Sequence, residues 1–216
     1  REAVKYLDGP LLVLAGAGSG KTRVITHKIV YLIETCGFSA RNIAAITFTN
    51  KAAREMQERV GKLLQGKSAR GLTVTTFHSL GLHILRQEAR HLGYKPRFSV
   101  LDASDSSGIL NDILKTTDKK EIRRAQSVIS NWKNAQLPPS LAVKQAENEI
   151  ERQLAVIYQA YQDTLQAYQA MDFDDLIRLP VELFDTHPQV LEKWRDKLRY
   201  LLIDEYQDTN TCQYQL

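Results

Sequence analysis

The chain has 216 residues, a net charge of +4, 43% hydrophobic and 25% charged residues. This is ordinary globular composition, enough for one large domain or two small ones. No apolar run approaches the roughly 18 residues of a membrane span, and no signal-peptide pattern opens the chain. Cys36 and Cys212 lie far apart in no metal-ligand spacing, which reads as reduced thiols of a cytoplasmic protein. The charge is unevenly spread: residues 1–85 carry +7, residues 86–186 carry −2 and residues 187–216 carry −1. The basic excess of the first part attracts phosphate-rich ligands, whether nucleotide or nucleic-acid backbone.

The apolar run Leu11-Leu12-Val13-Leu14 predicts a buried strand, and it runs into Ala15-Gly16-Ala17-Gly18-Ser19-Gly20-Lys21-Thr22, with a helix opening at Lys21. Strand, glycine-rich loop and helix in this order are the context of a phosphate-binding P-loop. Glycines let successive N–H groups turn towards phosphate oxygens, and the helix N-terminus adds positive dipole. In this reading Lys21 reaches the β- and γ-phosphates and the Thr22 hydroxyl ligates Mg²⁺. Ala15 stands where the usual pattern has its first glycine. A plain glycine-rich turn has no need of Lys-Thr at its end, so the motif predicts nucleoside triphosphate binding. Residues 15–22 and the following Arg23 form the candidate nucleotide set.

Residues 22–35 then predict an amphipathic helix, with Ile25, Ile29, Leu32 and Ile33 at helical spacing. A strand follows at Ile43–Phe48, a helix over 51–64 with Ala52, Met56, Val60 and Leu63 in step, and a third strand at Leu72–Phe77. This alternation predicts a parallel, doubly wound α/β sheet. From about residue 86 the rhythm changes. Residues 104–134 and 140–170 read as helices broken at Pro138-Pro139, with no convincing strand between them. Ile150, Leu154, Ile157, Tyr161, Leu165 and Tyr168 fall on one stripe, read as core. The strand pattern returns at 199–204, so the simplest account is a helical subdomain inserted into an α/β domain.

That last strand, Arg199–Ile203, ends in Asp204-Glu205-Tyr206-Gln207-Asp208. A carboxylate at the carboxyl end of a buried strand is where a P-loop enzyme keeps its Mg²⁺ ligand. Asp204 suits the metal, and Glu205 is placed to orient water or take its proton, which favours hydrolysis. Taken alone, adjacent acids at a strand end also fit a solvated loop.

Two further strand ends carry polar and aromatic residues. Phe48, Thr49 and Asn50 emerge at the carboxyl edge of the sheet, where a ring beside Asn and Lys51 suits stacking and phosphate contact with single-stranded nucleic acid. The same residues fit a core phenylalanine followed by a helix cap. Thr76 and His78 repeat the arrangement at the next strand end, where His78 reads as a phosphate donor or as a structural histidine. Asp172-Phe173-Asp174-Asp175-Leu176 sets three carboxylates at a helix start, which favours capping and anchoring over metal binding.

In combination, Ala15–Thr22, Thr47–Ala53, Thr75–Ser79, Asp172–Leu176 and Asp204–Asn210 resemble successive motifs of the UvrD/Rep family of superfamily 1 DNA helicases. Ser130–Asn134 adds to the likeness, and Ala15 fits that family's A-x-x-G-x-G-K-T pattern. The resemblance covers essentially the whole chain. It implies a RecA-like P-loop motor domain from residues 1–85 and 187–216, with 86–186 as the inserted helical subdomain. It implies ATP and Mg²⁺ as cofactors, Lys21 and Thr22 on phosphate and metal, Asp204 on metal and Glu205 on water. Gln207 resembles the family glutamine that senses the γ-phosphate and couples it to DNA. Phe48, Thr49 and Asn50 look like a first single-strand contact, Thr76 and His78 like a second. The implied partners are single-stranded and forked duplex DNA with replication or repair proteins, in a bacterial cytoplasm at the nucleoid. The implied activity is 3′-to-5′ translocation and unwinding.

The chain opens just after the place of the family's adenine-reading glutamine and stops before a second motor domain with its phosphate-facing arginines. It is therefore expected to be an N-terminal part, inactive by itself. Other readings are the helicase part of a recombination nuclease, a kinase or switch GTPase, and a DNA-binding or partner-docking module. The kinase or GTPase reading calls for a lid or an N-K-x-D element, and the sequence has neither.

Overall fold

The computed structural model describes residues 2–16, 18–64 and 69–216 and divides into two compact units, residues 1–77 with 191–208 and residues 78–190 with 209–216.

The first unit is built around β1 (Ile43–Thr47), every residue of which is buried. A strand covered on both faces needs apolar or small side chains at all positions, and Ile43-Ala44-Ala45-Ile46 supplies them. β1 pairs in parallel with β2 (Thr73–Thr76) on one side and β5 (Tyr200–Ile203) on the other. Parallel neighbours require crossovers, and α2 (Lys21–Glu34) and α3 (Asn50–Leu63) belong to this layer. Ile29 and Leu32 of α2 meet Met56 and Val60 of α3 over Ile43 and Ala45, joined by Leu64. Each such side chain contributes about 1.5–3 kcal/mol by leaving water. Thr49 caps α3, its hydroxyl oxygen accepting from the Ala52 amide at 3.1 Å. A short helix α1 (Glu2–Lys5) precedes the loop, and the Lys28 ammonium donates to the Tyr6 carbonyl.

One expected strand is missing. Among the described residues Leu11–Leu14 has no sheet partner, and its side chains face solvent, Leu14 to 86%. Apolar sequence favours burial, but a strand exists only where its N–H and C=O groups find a ladder. β1 takes one edge of β5, and no described strand takes the other. The other sheet expectations agree with the observed bounds to within one or two residues.

The second unit is helical. α5 (Ala103–Leu114), α6 (Lys119–Asn134), α7 (Pro139–Gln145) and α8 (Glu149–Ala167) surround a core of Leu110, Ile122, Ala125, Ile129, Ala142, Tyr158, Tyr161 and Leu165. The expected single stretch 104–134 is two helices, separated where Lys115 takes φ 52° and Asp118 caps α6. The stripe on α8 is also displaced. Tyr161 and Leu165 are buried, but Ile150 and Tyr168 are 53% and 68% exposed, and Ala155 and Tyr158 complete the inner face. The ends of a long helix outrun the core it packs on. A parallel ladder of two residues on each side, β3 (Ser99–Val100) with β4 (Ala170–Met171), escaped the sequence reading because it is too short for a period.

α9 (Asp175–Thr186) is buried on nearly all sides and accommodates Pro180. α4 (Phe77–Glu88) begins at the last residue of the first unit and runs on in the second. There Gly81 lies so close to α9 that a Cβ would sit 1.7 Å from the Leu176 carbonyl oxygen. α10 (Pro188–Lys197) leads to β5, and α11 (Thr211–Gln215) follows it.

Candidate nucleotide site and nucleic-acid edge

Lys21 and Thr22 open α2, and Gly20 before them has φ 89°. Gly18 has φ 74°, so both glycines occupy a region that L side chains rarely adopt. Ser19 folds the loop back, with its amide and its hydroxyl both donating to the Gly16 carbonyl. Ala15 and Gly16 are exposed, and Ala17 lies outside the described residues. Arg23 is exposed on the first turn, its Nε 3.4 Å from His27 Nε2. It lines a basic cleft with His27, Arg59 and Lys62.

Asp204 and Glu205 follow β5, whose register beside β1 is continued by the Asp204 amide donating to the Ile46 carbonyl. The two halves of the expected site meet within the first unit. Thr22 Oγ1 donates to Asp204 Oδ2 at 3.1 Å, and Lys21 Nζ stands 2.9 Å from Glu205 Oε2. The Gln207 amide also donates to Glu205 Oε2. This bond and the Lys21 ammonium hold the Glu205 carboxyl below its ordinary range. Glu205 has φ 53°, a left-handed backbone that a glutamate adopts only where its surroundings hold it there.

Asp204 is buried, and its Oδ1 has no hydrogen-bond partner among the described residues. A buried carboxylate oxygen without a partner is costly, and a hard cation would satisfy it. With the Thr22 hydroxyl alongside, the donor set fits Mg²⁺, which binds through one or two protein oxygens and completes its shell with water and phosphate. Among the described residues no group of three His, Cys, Asp or Glu could hold a metal by itself.

The candidate nucleic-acid residues of the first unit sit at the carboxyl ends of β1 and β2. Register pairs Thr47 with Thr76, and the next residues, Phe48 and Phe77, meet edge to face at 5.7 Å between centroids. Phe48 is half-buried, so one part of the ring packs and another meets solvent. Thr49 and Asn50 are exposed at the start of α3. Thr76 is only 7% exposed. His78 belongs to the second unit and stacks on Phe173 with ring centroids 3.9 Å apart. Burial lowers its pKa against the opposing charge of Asp174, which favours the neutral ring.

The Asp172–Leu176 motif anchors the second unit. Lys133 is fully buried, its ammonium 2.6 Å from Asp172 Oδ2 and 2.9 Å from Asp175 Oδ2. Arg178 Nε donates to Asp175 Oδ1 at 3.0 Å, and Tyr161 donates its hydroxyl to Asp172 Oδ2 at 3.0 Å. Burial, with the Asp175 charge, pushes the Asp172 carboxyl up to about 6. Burial acts the same way on Asp175, but Lys133 and Arg178 outweigh it and leave that carboxyl lowered. Sequence reasoning missed Lys133. The available signal was a lysine in step with Ile122, Ala125 and Ile129 on an otherwise apolar stripe.

The whole chain, residues 1–216, matches the UvrD/REP helicase N-terminal domain family. It is 52% identical to the ATP-dependent DNA helicase Rep of Escherichia coli (strain K12), covering all of this chain and 32% of that protein. It is 46% identical to the ATP-dependent DNA helicase PcrA of Staphylococcus aureus (strain Mu50), again over all of this chain and 30% of the relative. The chain thus spans about a third of the length of these relatives. With the strand-end acids meeting the glycine loop and the match running end to end, the chain belongs to the UvrD/Rep helicase family.

Proposed function

We propose that these residues form the ATP-binding part of an ATP-dependent, single-strand-tracking DNA helicase of the Rep type. In this reading residues 1–85 and 187–216 are a RecA-like motor domain, and 86–186 are its helical insert. The observation that carries it is the meeting of Lys21 with Glu205 and of Thr22 with Asp204 at 2.9 and 3.1 Å. A phosphate cradle and an acidic pair at that separation suit phosphoryl transfer to water.

Bound MgATP supplies the scissile phosphoanhydride and the electrophilic metal. The chain's residues do the rest. The loop amides and Lys21 would hold phosphate charge, and Thr22 and Asp204 would hold the cation. Glu205 would accept the proton of the attacking water, and Gln207, which donates to Glu205, would report the γ-phosphate. Phe48, Thr49, Asn50 and Thr76 of the first unit are single-strand contacts in this reading, Phe48 by stacking and Thr49 and Asn50 by reaching the backbone, and His78 of the second unit is a further contact. Movement along DNA is 3′-to-5′, the physiological substrate is forked duplex, and the setting is bacterial replication or repair at the nucleoid. Ala15–Gly20 and Arg23 belong to the nucleotide set.

The deciding experiment is single-strand-stimulated ATP hydrolysis by the protein that carries this chain. Lys21→Ala is expected to abolish it, because a positioned charge in such a site carries several kcal/mol of barrier, of order 10²–10³ in rate. A variant rate within about tenfold of the parent overturns the assignment.

A further inference from the structure

The basic cleft of the first unit is built by two helices that offer it the same pattern. α2 contributes Arg23, Thr26 and His27, and α3 contributes Arg59, Lys62 and Leu63. Positions i, i+3 and i+4 share one helix face, so each triplet forms one wall. The space between them is about 400 Å³, and among the described residues no carboxylate lines it.

Its cations are weakly compensated. Lys62 has no ion pair among the described residues. Arg59 has one, with Glu55 at 3.8 Å, and both side chains are at least half exposed, so water screens it. Arg23 uses its Nε on His27 Nε2, which leaves the terminal N–H groups of Arg23 and Nδ1 of His27 as donors. Cations gathered without acids repel one another, and a bound anion relieves that repulsion. The floor is less polar than the rim. Leu63 is 36% exposed there, and the Thr26 hydroxyl is turned back onto the Arg23 carbonyl. A basic groove with an apolar patch suits a single strand, its phosphates on the cations and its sugars and bases on the floor.

We propose that the α2–α3 cleft is a further contact for single-stranded nucleic acid, with Arg59 and Lys62 on its phosphates and Arg23 and His27 on the facing wall. The inference rests on the functional reading above and adds a contact to the strand-end residues Phe48, Thr49, Asn50 and Thr76. Phosphate contacts carry no sequence information, so this one strengthens binding to every sequence alike. Arg23 also follows Thr22 directly, which makes a nucleotide the competing occupant. The test is placed on α3 for that reason.

The test uses the protein that carries this chain and an oligothymidylate single strand, titrated over a range of salt. Arg59→Gln combined with Lys62→Gln should bind it about tenfold more weakly at low salt, and the slope of log affinity against log salt should flatten by about 1.4, at about 0.7 per cation. KM for ATP should stay parental. Both side chains are exposed, so the melting temperature should not move. Arg195→Gln removes an exposed cation of the same unit that lies outside the cleft, and should leave the slope as it was. A parental slope in the double variant overturns the inference. So does an equal flattening per charge in Arg195→Gln, which would make the cleft one part of a general field. A raised KM for ATP with unchanged strand affinity gives the cleft to the nucleotide and overturns it too. Hydrolysis that single strands do not stimulate in the unaltered protein strikes the functional reading instead, and the slopes then judge this inference by themselves. An unaltered protein that binds no single strand overturns both.

Discussion

The Thr22 hydroxyl donates to Asp204 Oδ2, closing 182 residues of chain and leaving Asp204 Oδ1 buried without a partner among the described residues. The carboxylate is thus half satisfied by protein and half reserved. Its neighbour Glu205 is more exposed and engaged with Lys21 and Gln207. That difference supports the proposed division of metal holding and proton acceptance between the two residues. Asp204→Asn should weaken Mg²⁺-dependent nucleotide binding, while Glu205→Gln should keep binding and lose turnover. Fluorescent-nucleotide titration with and without Mg²⁺, beside hydrolysis rates, checks this. Equal loss of binding in both variants contradicts the division.

Phe48 presents one ring to two environments. If its exposed part stacks on a base, Phe48→Ala should cost about 1–3 kcal/mol of single-strand affinity. Hydrolysis without DNA should stay near the parental rate. A purely core role predicts about 3–5 kcal/mol lost from folding instead. The half-burial and the contact with Phe77 indicate a smaller loss of stability than a full core ring would give. Melting temperature and single-strand affinity on one variant separate the roles.

Gly81 tests the packing of α4 on α9. In an open helix, glycine to alanine gains about 1 kcal/mol from propensity. Here the added methyl would meet the Leu176 carbonyl oxygen at 1.7 Å, and backbone cannot swing aside as a side chain can. Overpacking of this kind costs about 1–3 kcal/mol or more, so the sign reverses. Gly81→Ala should speed amide exchange in α4 and α9. Unchanged exchange would mean the helices separate easily.

Long periodic segments were legible because burial leaves a pattern: α2, α3, β1 and β2 lie within a residue or two of where their spacing puts them. Lys21-Thr22 and Asp204-Glu205, which the fold brings together, stood out in the sequence because phosphate and metal chemistry demands particular residue types at particular spacings. Leu11–Leu14 was misread because hydrophobicity reports a preference for burial, and pairing of the backbone is a separate condition. β3 and β4 are too short to carry a period. Lys133 showed only its place on the buried stripe of α6. A buried cation is defined by partners from elsewhere in the chain, Asp172 and Asp175, and nothing local to α6 announces them.

That cluster yields the last prediction, which turns on sign. Lys133→Met removes the cation between two buried carboxylates, leaving Asp175 with Arg178 alone and Asp172 with no cation, a loss of about 3–5 kcal/mol. Asp172→Asn keeps an acceptor for Lys133 and removes one charge. Asp172 has a folded pKa raised to about 6 from the ordinary 3.8, so the folded state holds its proton more tightly. Its contribution to stability is therefore full below about pH 4 and is lost as pH rises through about 6. Asp175 runs the other way. Its folded pKa is lowered, so its contribution is present above the ordinary value and is lost as pH falls through the folded one. On acidification from about pH 6 to about pH 4, the parent should gain stability relative to Asp172→Asn, read as slower amide exchange in α6 and α9. Asp175→Asn should destabilise the same helices at neutral pH. A parent that loses stability relative to Asp172→Asn on acidification, or keeps pace with it, would show that Asp172 is held ionised by Lys133 throughout, against the effect of its burial.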